Sequence, residues 1–243
     1  MSSIVILGAT GTIGSVLARR LVLHGHHVLL VGRNEEKLRA LSQEIGQPFV
    51  TVDLTSSQPL EEALRDAADG HGGFHGLVNC IGSILLKPAH STTDDEFRQV
   101  VETNLFTAFT TIRVGAKLLR ERGGTIILFA SAAAEIGIQN HEAIAAAKAG
   151  VIGLARSAAA TYAPNNIRVN VVSPGLVRTE MTRRIWENSA SAAASAQLHA
   201  LGRLGEPEQV ASLVSWLLDT GNDWITGQVI GIDGGLGHVL PRR

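Results

Sequence analysis

The feature that most constrains this chain is an alternation that runs from one end to the other. Short apolar runs, each the length of one buried strand, take turns with stretches of helical periodicity. Ile4 to Leu7 leads through Gly8-Ala9-Thr10-Gly11-Thr12-Ile13-Gly14 into Val16, Leu17, Leu21 and Val22 at helical spacing. Strands are then predicted over Val28 to Val31, Phe49 to Val52, Leu77 to Asn79, Thr125 to Ala130, Ile167 to Val172 and Gln228 to Ile232. Helices are predicted over Glu35 to Ile45, Leu60 to Ala68, about Asp94 to Arg122, Glu142 to Ala163 and Pro207 to Leu218. Strands apolar on both faces and separated by helices imply an α/β fold: a doubly wound, parallel, seven-stranded sheet of the Rossmann type, with right-handed crossovers. No repeat, linker or low-complexity tract divides residues 1–243, so one dinucleotide-binding type of domain is expected. Ser189 to Ala200, rich in Ala and Ser, is expected either as a mobile flap over the carboxyl edge of the sheet or as a plain helix of small residues.

Composition narrows the partners. A formal net charge of -1 with no basic stripe argues against nucleic acid or an anionic membrane surface. One Cys excludes a disulfide framework and a Cys-rich metal site, and no metal is expected. No apolar run comes near the roughly 20 residues of a membrane span, and no signal peptide is visible, so a cytoplasmic protein is expected. Aromatics at 4% leave the core to aliphatic side chains. His24, His26 and His27 fall at the turn after the first helix and read as surface residues, and Cys80 reads as a small core residue.

The first turn carries the first chemistry. Gly8, Gly11 and Gly14 follow a strand and open a helix, the context in which a glycine motif signals a dinucleotide. Glycines let the backbone approach a pyrophosphate, and the helix N-terminus offers free N–H groups to it. The second strand ends Val31-Gly32-Arg33-Asn34, with Gly where an NAD site places its acid and Arg33 beside it. A guanidinium suits a 2'-phosphate, so NADP is expected, with NAD left open.

Taken together the motifs resemble those of the short-chain dehydrogenase/reductase family, and of its 3-oxoacyl-carrier-protein reductase-like branch, over essentially the whole chain. Asp53-Leu54 is similar to the family's adenine-contacting segment, Asn79-Cys80-Ile81-Gly82 to its Asn-Asn-Ala-Gly, and Asn104 to the Asn that kinks its long helix and holds a water. Pro174-Gly175-Leu176-Val177-Arg178-Thr179 resembles the stretch that meets the nicotinamide, and Gly202 to Pro207 and Ile225 to Gly235 resemble the C-terminal signature. The resemblance implies cofactor contacts at Gly8, Thr10, Gly11, Thr12, Ile13, Gly14, Arg33, Asp53, Leu54, Asn79, Gly82, Lys148, Pro174, Gly175, Val177 and Thr179. It also implies a small carbonyl or alcohol substrate and a homo-tetramer or homo-dimer formed through the long helices. Thr12 departs from the ordinary branch, which has its middle Gly there.

The larger departure is catalytic. Where the resemblance calls for Ser, then Tyr, then Lys four residues beyond the Tyr, this chain has Ser131, Ile144 and Lys148 in the same spacing. In the family the ammonium lowers the phenol pKa so that the phenol can pass a proton to or from the substrate oxygen; Ile cannot. The single tyrosine, Tyr162, lies eighteen residues on, roughly 27 Å along a helix axis, and cannot stand in within its own subunit. Three readings follow. The chain is an NADP-linked oxidoreductase with a non-standard site, its proton coming from His141 or from water held by Ser131 and Lys148, with Asn104 in support. Alternatively it is an inactive NADP-binding sensor or partner subunit, or it runs non-redox chemistry such as elimination or isomerisation on the same scaffold. Met181 and Trp186 are expected to line the substrate pocket.

Overall fold

The computed structural model describes residues 2–53, 57–69 and 73–239. Its strands are β1 (Ser3–Leu7), β2 (His27–Gly32), β3 (Phe49–Thr51), β4 (Gly76–Asn79), β5 (Gly124–Phe129), β6 (Ile167–Pro174) and β7 (Val229–Ile232). They form one parallel sheet in the order β3-β2-β1-β4-β5-β6-β7. The order reverses at β1, which pairs with β2 on one side and β4 on the other. All the carboxyl ends therefore lie on one edge, with a crevice at the reversal point.

The helices are α1 (Thr12–Leu23), α2 (Glu35–Ile45), α3 (Ser57–Asp69), α4 (Asp94–Val101), α5 (Thr107–Leu119), α6 (Glu142–Tyr162), α7 (Arg183–Trp186), α8 (Ser189–Leu198) and α9 (Pro207–Leu218). Two aliphatic clusters show why they divide between the faces. Leu17, Leu21, Leu38 and Val214 from α1, α2 and α9 pack on one side of the sheet. Leu60, Leu64, Ile112 and Val151 from α3, α5 and α6 pack on the other. Apolar burial is complete or nearly so along the inner strands β1, β2 and β4, as an internal parallel sheet requires, and falls to half-buried at the edge strands β3 and β7.

Two expectations change in detail, and a third stretch is a helix as one of its two readings had it. The long helix predicted from about Asp94 to Arg122 is interrupted by a π-helical turn at Glu102–Phe106. The cause is local: the buried Asn104 side chain donates to the Val100 carbonyl at 2.9 Å, occupying the α4 backbone with a side-chain bond that periodicity does not register. The apolar stretch Glu142–Asn165, built around α6, is long and apolar enough by composition to cross a membrane, contrary to the expectation of no such run. Here it packs on β5 and β6 and against the π turn. The Ala/Ser-rich stretch forms a helix, α8, preceded by the short α7.

Candidate active site

The site begins at the reversal point. Gly8 has φ +75°, a left-handed conformation that favours glycine. At Gly14 a Cβ would stand 2.5 Å from the Gly8 carbonyl oxygen, so the turn admits no side chain there. Gly11 donates its N–H to Gly8 O at 3.1 Å and stands just before α1, where no side chain caps the first turn. The helix therefore presents its leading N–H groups to any anion seated over the turn. Thr10 lies within this turn, and Ile13 lines the cavity described below. Thr12 has a use that the glycine pattern does not reveal: its Oγ1 accepts the Glu180 N–H at 3.1 Å, tying the turn to the covering segment.

Along the same edge, Arg33 follows the last residue of β2 and is exposed, beside Asn34, whose side chain caps α2 by accepting from Lys37 N. Asp53 follows β3 and is exposed, and Leu54 lies outside the described residues. Asn79 is buried, and its Oδ1 accepts from Ile81 N at 2.9 Å, holding the turn after β4. Gly82 sits where three groups converge: a Cβ on it would be 3.3 Å from Asn104 Oδ1, 3.7 Å from Lys148 Nζ and 4.0 Å from Met181 Cε.

A cavity of about 330 Å³ opens beside these residues. Gly11, Thr12, Ile13, Gly14, Gly82, Asn104, Ser131, His141, Ile144 and Lys148 all line it, so sequence positions spread over the chain are brought to one place. Ser131, two residues after the end of β5, accepts the Ala133 N–H through Oγ at 3.2 Å, which leaves its hydroxyl hydrogen free to donate. Lys148 is 7% exposed and donates to the Phe129 carbonyl at 2.9 Å. Burial pushes its ammonium down to about 8. Asn104 accepts from Ser83 N at 3.1 Å and donates to Ser83 Oγ at 2.9 Å. Cys80, also on the wall, has its thiol pushed up to about 12 by burial, which disfavours the thiolate.

Ile144 lies one helical turn before Lys148 on α6 and is 4% exposed, packed with Val100, Ala143 and Ala147. Tyr162 is not among the residues lining this cavity and belongs to a separate depression between α5 and α6. His141 stands at the start of α6, with its Nδ1 2.7 Å from the Gln139 carbonyl. A carbonyl only accepts, so Nδ1 carries the hydrogen, and the Nε2 of the neutral ring is an acceptor. His141 donates a proton only from its imidazolium form.

The cover is a strapped segment. Pro174 ends β6, and Gly175 cannot be larger, because a Cβ would meet His199 Nε2 at 2.6 Å. Val177 is buried and bridges to Gly205. The Thr182 hydroxyl donates to Val177 O at 2.6 Å, and Thr179 O accepts from the Trp186 indole at 2.9 Å. Met181 reaches the cavity as expected, whereas Trp186, tied to Thr179, is not among its lining residues. His199 is the residue that the sequence reading missed. It is 3% exposed, its Nδ1 pairs with Ser195 O at 2.7 Å, and its Nε2 accepts from Leu176 N at 3.1 Å. Both ring nitrogens are engaged, which makes His199 a clasp for α8 and not a proton donor.

Comparison with known proteins agrees with this fold. The family model described as Enoyl-(Acyl carrier protein) reductase matches residues 8–237. The 3-oxoacyl-[acyl-carrier-protein] reductase MabA of Mycobacterium tuberculosis is 33% identical over 236 residues, covering 97% of this chain and 92% of that protein. A short-chain type dehydrogenase/reductase from Mycobacterium ulcerans superposes with a TM-score of 0.93 at 29% identity, over 97% of this chain and 90% of that one. ElxO with NADP bound superposes with a TM-score of 0.91 at 25% identity, over 97% and 99% of the two chains. A tyrosine-to-phenylalanine variant of ElxO is known with NADPH bound.

Proposed function

We propose, from the premise that the chain belongs to the short-chain dehydrogenase/reductase family, that it is an NADP(H)-dependent oxidoreductase of a carbonyl or alcohol group with a non-standard proton path. The observation that carries this reading is the cradle at the carboxyl edge. Gly14 tolerates no Cβ, and the open start of α1 shares a cavity with Ser131, Asn104 and Lys148. The cofactor fits these residues: the glycine turn and α1 N-terminus for the pyrophosphate, Arg33 for the 2'-phosphate, Asp53 and Asn79 along the adenosine side, Lys148 for the ribose hydroxyls, and Pro174 to Thr179 against the nicotinamide. NADPH, when bound, supplies the hydride.

This chain's residues do the rest. The free Ser131 hydroxyl hydrogen points the reacting oxygen, and Ile144 and the strapped cover exclude water. The proton reaches the oxygen from the His141 imidazolium or from a water held between Ser131 and Lys148. Loss of a positioned general acid costs about 10² to 10⁴ in rate, so turnover is slow unless one of these donors works well. A cytoplasmic location and a homo-dimer or homo-tetramer through α5 and α6 belong to the same proposal.

One observation favours a second reading, an NADP-binding sensor or partner subunit. Nearly every residue expected to hold the cofactor is retained, while the place four residues before Lys148 holds a packed aliphatic side chain. The experiment that separates the two measures NADPH binding and NADPH oxidation with a ketone panel, for the protein and for Ile144→Tyr. The enzyme reading expects measurable turnover in the unaltered protein, lowered at least about tenfold by His141→Ala if the imidazole is the donor. Binding without turnover in the unaltered protein, with turnover appearing in Ile144→Tyr, establishes the binding-protein reading instead.

A further inference from the structure

Polar groups in the cavity are few, and several are already spent. His199 has both ring nitrogens bonded, Thr182 donates to Val177 O, and Asn104 is held by Ser83 and Val100. Glu180, the one carboxylate on the wall, is paired with Arg183 at 2.9 Å. What remains free to meet a ligand is the hydroxyl hydrogens of Thr12, Ser83 and Ser131, His141 Nε2 and the Lys148 ammonium, and on α8 the single hydroxyl of Ser195. The other walls are mainly aliphatic: Ile84, Ile138, Ile185, Leu198 and Leu236. At the rim Met181 and Leu198 are 50% and 52% exposed, apolar surface that a bound molecule would cover.

We infer that the substrate is a small uncharged ketone or secondary alcohol with an aliphatic body, its single oxygen at Ser131 and its chain running under α7 and α8 toward Leu198 and Leu236. Among the described residues no unpaired cation lies along the aliphatic walls to hold a substrate carboxylate, and no unpaired acid to hold an ammonium. A polyhydroxylated substrate would leave its hydroxyls unbonded against isoleucine, which disfavours it. This inference rests on the oxidoreductase reading for the role of the oxygen, but the shape and polarity of the pocket stand apart from turnover.

The test uses binding. With NADP+ present, a ketone meets a cofactor that has no hydride to give, so affinity is read without reaction. Acetone, methyl propyl ketone and methyl pentyl ketone are titrated calorimetrically into the NADP+-loaded protein, beside 6-oxoheptanoic acid, the oxo acid that keeps the methyl ketone of the last and carries its carboxylate at the far end of the chain. Affinity is expected to rise roughly fourfold per added methylene until the cavity is full, with the oxo acid at least tenfold weaker than the ketone. In Ile185→Ser the gain per methylene should shrink, with an unchanged melting temperature showing that the variant folds. Affinity indifferent to chain length, or an oxo acid that binds better than the ketone, overturns the inference. If NADP+ itself does not bind, the oxidoreductase reading fails, and the same ketone series on the free protein still decides the nature of the pocket.

Discussion

Lys148 shows how a single residue can be good for function and bad for stability. Its ammonium is buried among apolar walls with one carbonyl partner, and burial lowers it from the ordinary 10.5 to about 8. In the unfolded chain the amine keeps its proton up to about 10.4. Between these values the unfolded state binds the proton that the folded state has released, so this group's contribution to stability rises with pH. The full cost of burying the charge is present below about 8 and gone above about 10.4. That cost corresponds to about 3 kcal/mol, and losing the bond to Phe129 O takes back about 1 kcal/mol. The Lys148→Met protein should therefore be about 2 kcal/mol more stable than the parent at pH 7, with the gap closing as pH rises through that window, while NADPH binding weakens. Urea denaturation across pH 7 to about 10 checks the stability half; a gap independent of pH would mean that burial does not lower the Lys148 ammonium below its unfolded value. The Ser131, Ile144 and Lys148 spacing was readable because helix and strand ends fix it. The hydrogen on His141 Nδ1 was not, because it depends on the Gln139 carbonyl, which only the folded turn places there.

At the scale of elements, α2 and α9 were read to the residue because their apolar stripes and their boundaries coincide: α2 stops at Gly46, left-handed at φ 66°, and α9 starts with Pro207. The break at Glu102–Phe106 was hidden, since Asn104 acts through its side-chain bonds and not through hydrophobic spacing. The helix α8 was equally opaque. It buries none of its own residues, and what fixes it to the cover is the clasp made by His199 just beyond its end. From that follows a prediction about this element alone. His199→Ala removes the acceptor of the Leu176 N–H and the donor to Ser195 O, leaving half-buried backbone groups unpaired at a cost of about 1–3 kcal/mol. Because the loss falls on the cover and not on the sheet, it should appear as local opening. Limited proteolysis within residues 183–198 is expected to accelerate roughly 5- to 150-fold, about what that energy implies when cleavage follows the open population. An unchanged cleavage rate would mean that the aliphatic contacts of Ile185 and Leu198 hold the cover by themselves.

For the whole molecule, the parallel register decides where everything functional must be. With every strand pointing the same way, Gly8, Arg33, Gly82, Ser131 and Pro174 all follow or end strands at one edge, although they come from distant parts of the chain. A dinucleotide laid along that edge would touch the turns after several strands at once, so its binding should stabilise the domain as a unit. At a hundredfold excess over its dissociation constant a ligand contributes about 2.7 kcal/mol, which raises the melting temperature of a domain of this size by roughly 5 to 10 °C. The choice between NADPH and NADH then rests on Arg33, exposed beside the start of α2. A hydrogen bond from its guanidinium to the 2'-phosphate contributes about 1.5–3 kcal/mol, since the group is charged. NADH at the same concentration should therefore give about 1 kcal/mol or less, a shift of no more than about 4 °C. Arg33→Ala should bring the NADPH shift down to the NADH level without altering the melting temperature of the free protein, because Arg33 makes no ion pair among the described residues. Thermal denaturation with each nucleotide measures both. A larger shift with NADH than with NADPH in the unaltered protein would show that the end of β2 reads a ribose hydroxyl, and that Arg33 has no phosphate to hold.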